Sequence, residues 1–455
     1  MSQQPASRNP DAERAADTAT AEAMVARALD AARAAGADSA EAGASLSRAL
    51  TVSVRNAEVE SLEFQRDRDL SLTVYCGARS GSATTSDWSD DGIRGAAEAA
   101  VAIARASGED SCNGLPDADR LATAFPDLDL FHPWMADADD AVDLARRCEA
   151  AALAADERIG QSEGATLDTG RGVAVLGNTL GFMGVSAGTR HSLSCAVIAR
   201  AGDEMQRDFW YTAGRVPGAL ITPEAVGRRA GERAAARLGA ARVATRRCPV
   251  LFPPELARGL WGALAGAASG GVLYRRASFL LDRAGTTVAA PHVHIEQQPH
   301  IPQAVGSAAF DEEGVATRPR ALVEAGVLQG YLLSSYSARR LGLETTGNAG
   351  GAFNLAVRPT FDGGLEALAR EMGEGLLVTE LMGQGVNTVT GDYSRGAAGY
   401  LVRGGAIAEP VDEITIAGNL LDMLGDVQAI GSDVDVTSGV RSGSVLVGAM
   451  TVAGA

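Results

Sequence analysis

From Leu50 to Val74 the apolar side chains recur with a period of two: Leu50, Val52 and Val54, then Val59, Leu62 and Phe64, then Leu70, Leu72 and Val74. That period puts alternate residues on one face of a pleated strand. Short turn signals separate the runs, so the stretch predicts an antiparallel meander ending near Thr85. The flanking segments have the other period. Met24, Val25, Ala28, Leu29 and Ala32 share one side of a helix predicted over Thr18–Ala35 and stopped at Gly36. A second helix over about Asp90–Ala106 closes a first unit at 18–110.

The same reading extends along the chain. Residues 1–17 are polar and Ala/Pro-rich and predict a disordered tail. Residues 111–135 carry prolines at 116, 126 and 133 and predict a linker. A middle unit at 136–242 holds a helix over Asp137–Ala155, strands at Val173–Leu176, His191–Ala199 and Phe209–Thr212, and a helix over Pro223–Leu238. A third unit at 248–455 is dense in glycine. It opens with a strand at Cys248–Phe252 and has further strands near Ala321–Leu333, Leu376–Thr379, Ala398–Val402 and Ser444–Val447. Its helices are predicted at Pro254–Ala268, Leu365–Met372 and Gly418–Leu424. Strands come in consecutive groups rather than in regular alternation with helices, so the fold class is α+β. It comprises a small N-terminal α/β unit, a middle α+β unit and a large glycine-rich mixed β C-terminal domain.

Bulk properties narrow the function. A net charge of −17 repels phosphate backbones, and no basic stripe offsets it, which argues against direct nucleic-acid binding. The first twenty residues lack the apolar core of a signal peptide, and no apolar run approaches the roughly 18 residues that span a bilayer. The five cysteines are scattered and form no CxxC pair, as expected of reduced thiols in the cytoplasm.

Four segments carry candidate chemistry. Gly184-Val185-Ser186-Ala187-Gly188 fits G-x-S-x-G, which works as a nucleophile elbow only where a strand turns sharply into a helix. Here the following residues alternate like a strand, so a serine hydrolase is disfavoured. His292, His294 and Glu296 would project from one face of an extended strand, with His300 beyond, as a metal chelate or as a polar surface face. Gly266-Ala267-Ala268-Ser269-Gly270-Gly271 lacks the Lys-Ser/Thr of a phosphate loop and reads as close packing at a helix end. The last group is glycine-flanked: Thr379, Glu380 and Gln384, then Asp392, Tyr393 and Arg395. Glycine allows close backbone approach, and an open strand edge can capture an extended peptide, so these six are the candidate peptide-binding residues. Asp392 and Arg395 would orient such a ligand or pair with each other across a turn.

Several longer segments resemble the PmbA/TldE branch of the TldD/PmbA family. They include Arg55-Asn56-Ala57-Glu58-Val59-Glu60, Leu332-Leu333-Ser334-Ser335-Tyr336-Ser337-Ala338-Arg339, Val378-Thr379-Glu380-Leu381-Met382-Gly383-Gln384-Gly385-Val386 and Thr390-Gly391-Asp392-Tyr393-Ser394-Arg395-Gly396. The resemblance runs from about Ala49 to the C-terminus. It implies a TldD/PmbA-like fold and a cytoplasmic zinc metallopeptidase system built from two related chains. In that system the TldD-type chain carries a His-Glu-x-x-x-His helix, whose histidines hold zinc and whose Glu acts on the attacking water. Histidines five apart require a locally widened helical turn.

The present sequence departs from that pattern. Gly262 and Ala267 stand where the histidines would be, Ala263 where the Glu would be, and Ser442 near the position of a C-terminal cysteine ligand. The resemblance therefore implies no catalytic residue and no metal in this chain, with zinc in a TldD-like partner. The expected assembly is a heterodimer or higher complex with that paralogue, and a homodimer when the chain is alone. The expected substrate is an unfolded or short peptide. The alternatives are a regulatory protein acting apart from proteolysis, or a self-sufficient metallohydrolase using a site such as His292, His294 and Glu296.

Overall fold

The structure is a computed structural model and describes residues 9–454. The first helix, α1, spans Pro10–Ala35: the Asn9 side chain accepts from the Asp11 N–H at its start, and Gly36 ends it in a left-handed conformation at φ 94°. Residues 10–17, expected to be disordered, are thus helical. The reason is long-range. Glu13 and Asp17 form ion pairs with Arg48 and Arg171 of the sheet below, which pins the first turns. The rest of the expected tail, residues 1–8, lies outside the described residues.

Strands β1 (Ser39–Arg55), β2 (Glu58–Cys76) and β3 (Arg79–Thr85) follow, then α2 (Asp90–Ala106). An irregular segment leads to α3 (Ala138–Leu153), β4 (Ile159–Asn178), β5 (Met183–Ala201), β6 (Glu204–Gly214) and α4 (Pro223–Ala236). All six strands form one antiparallel sheet in the order β3-β2-β1-β4-β5-β6. Segments 18–110 and 136–242 therefore contribute three strands each to a continuous sheet, joined where β1 pairs with β4 from Glu41↔Asn178 to Val54↔Ala165.

The strands are longer than the apolar runs that reveal them. Gln65–Asp69 pairs with Ser45–Ala49 while its side chains stand in solvent, so a polar stretch continues β2 between its two apolar patches. Alternation sets the layers. Ala40, Ala42 and Ala44, with Leu70, Leu72 and Val74, pack on α1 and α2. Leu50, Val52 and Val54, with Leu167, Leu193 and Val197, pack on α3 and α4. Even-numbered β1 residues share a face, so all four helices cover one side. The other side carries polar pairs, among them Thr51 Oγ1 donating to Asp168 at 2.7 Å and Ser53 against Thr166 at 2.9 Å.

The C-terminal domain begins with β7 (Arg246–Phe252), α5 (Pro254–Ala267) and α6 (Gly270–Tyr274), then β8 (Ile295–Gln297), β9 (Arg320–Glu324), β10 (Val327–Leu328), α7 (Ser335–Leu341) and β11 (Leu355–Val357). It continues through α8 (Leu365–Met372), β12 (Gly375–Met382), β13 (Asp392–Arg403), β14 (Ala406–Asn419), α9 (Leu420–Gly425), β15 (Val427–Ile430), β16 (Val440–Arg441) and β17 (Val445–Ala453). Its main sheet has the order β14-β13-β12-β7-β17-β15, and an extra β14–β17 pairing curls it towards a barrel. A smaller sheet runs β10-β9-β8-β11-β16. The sheets are mixed, with parallel pairings at β12–β7 and β11–β16. The α+β class and the mixed β C-terminal domain expected from the sequence are what the structure contains. The helix expected from Gly418 starts at Leu420, because Gly418 and Asn419 complete β14 and the Asn419 side chain caps the helix at Leu421 N–H.

Several joints tie this domain to the first sheet and the segments around it. Phe125, Phe182 and Phe310 form an aromatic cluster with ring centroids 5.3–6.2 Å apart. Arg215 donates to the carbonyls of Ala304 and Val305 at 3.2 and 2.9 Å.

Candidate functional site

The helix expected to correspond to a zinc helix is α5. Pro253 and Pro254 start it, as suits a position whose N–H groups have no helical partner. It remains a regular α-helix to Ala267, without the widened turn that ligands five apart would need. Gly259, Gly262 and Gly266 fall on a bare side, where an added Cβ would meet nothing within 4 Å. Ala267 faces the opposite way and is fully buried in the domain core. Position 262 has room for a larger side chain, and position 267 has none. Ser442 does lie beside this helix, fully buried, but its hydroxyl accepts from Trp261 Nε1–H at 2.9 Å and donates to the Gly443 carbonyl at 2.9 Å. Indole fills the space next to the hydroxyl. Gly262, Ala263, Ala267 and Ser442 supply no imidazole, carboxylate or thiolate, so the residues present do not fit a zinc ion.

The histidine candidates disperse. His294 Nδ1 receives the Ala325 N–H at 3.4 Å, Glu296 accepts from Gln298 at 2.7 Å, and His300 Nε2 lies 3.1 Å from Thr317 Oγ1. His292 Nε2 is buried without a hydrogen-bond partner. Among the described residues no three His, Cys, Asp or Glu side chains converge as a metal-binding group. Ser186 sits inside β5, which runs unbroken from Met183 to Ala201, so its G-x-S-x-G motif forms no elbow. Gly270, in the glycine-rich segment after α5, packs against Ser337 closely enough that a Cβ would collide with it.

The six candidate peptide-binding residues divide into two groups. Thr379 and Glu380 lie on β12 at the seam with α4. Glu380 pairs with Arg237, which also approaches Asp208 and Asp412 at 3.8 and 3.5 Å. Arg233 pairs with Asp208 at 3.1 Å and donates to the Thr379 carbonyl at 3.5 Å. Trp210, stacked under Arg229 at 4.0 Å, joins Arg233, Glu255 and Thr379 in lining two seam cavities of about 210 and 350 Å³.

The second group follows the end of β12. Gln384 and Asp392 are exposed, and Asp392 accepts from Thr390 Oγ1 at 2.6 Å. Tyr393 and Arg395 alternate with Asp392 along β13, so they face the other way, and Asp392 forms no ion pair with Arg395. Tyr393 is buried, and neither its hydroxyl nor Arg395 Nε has a hydrogen-bond partner among the described residues. Burial pushes the Tyr393 phenol up to about 12, while nearby Arg395 pulls it down.

One feature gave no local signal in the sequence. A cavity of about 680 Å³ lies between the helix-free face of the first sheet and the loop at Phe310–Glu312. Beside it, burial and then Glu313 and Asp311 raise the Glu41 carboxyl to about 7. Burial likewise raises Asp311 to about 7, against three backbone N–H donors from Glu313, Val315 and Ala349.

Comparison with known proteins places this architecture. Family models for the first, central and C-terminal domains of PmbA/TldA metallopeptidases match residues 40–104, 131–238 and 245–454. Metalloprotease PmbA of Escherichia coli O157:H7 is 46% identical over 419 residues, covering 92% of each chain. A PmbA homologue of Haemophilus influenzae is 45% identical over 416 residues, covering 91% of this chain and 92% of its own. Among solved structures, a Bacteroides thetaiotaomicron protein described as a candidate modulator of DNA gyrase superposes with a TM-score of 0.91 at 27% identity, covering 95% of this chain and 99% of its own. TldE of Thermococcus kodakarensis shares the fold, with a TM-score of 0.80 at 19% identity over 95% of this chain and all of its own. With 45% identity sustained over nine-tenths of its length and all three domain models in order, the chain belongs to the PmbA/TldD metallopeptidase family.

Proposed function

We propose that this chain is the non-catalytic partner subunit of a zinc metalloprotease assembled in the cytoplasm from two related chains. The observation that carries the reading is α5: Gly262, Ala263 and Ala267, which the family resemblance aligns with the zinc helix, offer no ligand, and Trp261 closes on Ser442, aligned near the cysteine ligand. A TldD-like paralogue supplies the zinc and the attacking water. This chain completes the chamber in which an unfolded or short peptide lies extended beside that zinc.

Gln384, Asp392, Tyr393 and Arg395 are the residues through which it contacts the peptide. Thr379 and Glu380 act at the seam that sets the position of β12 relative to the middle domain. The exposure of Gln384 and Asp392 supports this division, while Tyr393 packs in the domain core beside Arg395 and helps set the position of that guanidinium.

Reconstitution tests the reading. The TldD-like paralogue, assayed on an unstructured peptide with and without this chain, should need it for full activity, and zinc should track the paralogue alone. Full peptidase activity from the paralogue by itself overturns the proposal. So does stoichiometric zinc together with hydrolysis by this chain alone.

A further inference from the structure

We propose that the 680 Å³ cavity between the first sheet and the Phe310–Glu312 loop is a binding site for cationic, partly apolar peptide segments. The inference rests on the peptide-handling reading above for the identity of its occupant. The volume falls inside the roughly 300–1,000 Å³ of ligand-sized clefts. Three observations give the occupant its chemistry.

The first is charge. Every charged residue lining the cavity is a carboxylate: Asp69, Asp311 and Glu312. None of them forms an ion pair among the described residues, although arginines elsewhere in the molecule are extensively paired with acids. Glu41, two residues from the lining Gly43, is likewise without a cation partner. Asp311 is buried without a counter-ion among the described residues and Asp69 and Glu312 are exposed on the same wall, so a guanidinium or ammonium group entering the cavity meets uncompensated negative charge.

The second is the apolar lining. Phe310 and Phe353 face Leu176 and Ala174 of β4 across the cavity, which provides an apolar surface for the side chains next to a basic residue. The third is the strand face itself. Because Ala42, Ala44, Leu70 and Leu72 are committed to the helices, the residues between them turn Gly43, Ser45 and Ser71 towards the cavity, joined by Ser186 from β5. Small residues and hydroxyls let a peptide backbone approach and hydrogen-bond without a fixed sequence. Acidic side chains with apolar walls thus select for charge and bulk rather than for a defined motif.

The experiment uses the full chain and a fluorescently labelled, unstructured peptide carrying Arg, Phe and Leu, followed by anisotropy. A peptide of the same length with Glu in place of Arg, a neutral peptide with Gln, and spermine as competitor complete the set. The expected result is binding of the Arg peptide at least about tenfold tighter than the Glu peptide, weakened by salt. The double variant Asp69→Asn/Glu312→Gln, at two exposed side chains, should lose about tenfold for the Arg peptide with an unchanged Tm. Equal binding of the Arg and Glu peptides overturns the inference. So does an unaffected double variant, or spermine that matches the Arg peptide in affinity, since the last would leave no role for the apolar walls. Stimulation of the paralogue on the neutral Gln peptide separates the two readings. If it persists while Arg-peptide binding is absent, only the cavity assignment fails. If no peptide is cleaved faster with this chain present, the partner-subunit reading fails as well.

Discussion

Trp261 donates its indole N–H to Ser442 Oγ at 2.9 Å, and both side chains are fully buried, although 181 residues separate them. This contact ties α5 to the segment before β17. Trp261→Phe leaves the Ser442 hydroxyl without its donor in a dry environment and should cost about 1–3 kcal/mol of unfolding free energy. Trp261→Ala adds a cavity and should cost about 3–5 kcal/mol. Chemical denaturation of the two variants checks both values. Installing Gly262→His, Ala263→Glu and Ala267→His together should not create a working site. The imidazole at 267 would overpack the core, so the triple variant is expected to be destabilised and to bind no stoichiometric zinc.

Glu149 holds the β1–β2 turn from beneath. Its carboxylate accepts the Asn56 and Ala57 N–H groups at 2.8 and 2.7 Å while itself only 1% exposed. Both turn residues have positive φ, 53° and 60°. Glu149→Gln should cost about 1–3 kcal/mol, because one of the two turn N–H groups loses its acceptor and an amide N–H is left in the buried site of the carboxylate. Ala57→Gly should act in the opposite direction and stabilise by up to about 1 kcal/mol, since glycine adopts this conformation without strain. Urea unfolding midpoints of the two variants should therefore move to opposite sides of the wild type.

Glu41 and Asp311 make stability depend on pH near neutrality. Their folded values of about 7 lie above the ordinary carboxylate range, so the folded state binds more protons than the unfolded one. The contribution is fully present below the unfolded values near 4 and is lost as pH rises through about 7. Glu313 and the Tyr75 phenol share this neighbourhood, and Arg339 acts on the phenol. Glu41→Gln should flatten the decline in Tm between roughly pH 6 and 8. A variant that retains the full wild-type slope would show that Glu41 does not titrate there.

His191 acts in the reverse sense. Its Nδ1 lies 2.8 Å from Thr169 Oγ1 and its Nε2 lies 3.0 Å from the His132 carbonyl, so the neutral ring has both nitrogens satisfied. Burial lowers its pKa. A depressed folded value means the stabilisation is complete above the ordinary histidine value of about 6.5 and is lost as pH falls below it. His191→Gln should lower Tm at pH 7.5 and remove much of the decline on acidification. Thermal melts across that range, compared with wild type, read out both effects.

The helices were legible because their signals are local. Asp90–Ala106 and Leu365–Met372 have the bounds expected from the sequence, and the caps and apolar spacing that mark them lie within the segments themselves. Strands were legible only where one face is apolar. The polar middle of β2 went unread, because main-chain pairing with a neighbour, not side-chain pattern, holds it extended, and β14 went unread although Ile414 and Ile416 alternate into the core. For the site, the substitutions at Gly262, Ala263 and Ala267 could be located only through family resemblance, since a helix of small residues has no signature of its own. The cavity had no signal at all. Its walls come from β1 to β5 and distant loops, and parity alone reveals that Gly43 and Ser45 face away from the helices, not what they face.

The continuous six-stranded sheet has a consequence for synthesis. β1 pairs with β2 as soon as the hairpin emerges, but its other edge waits for β4, which ends 123 residues after Arg55. At ribosomal rates of about 5–20 residues per second, that edge stays open for on the order of ten seconds. During that time the nascent chain presents a bare strand of 17 residues to its surroundings. Until the middle strands arrive, an open edge of that length is a template for pairing with another chain.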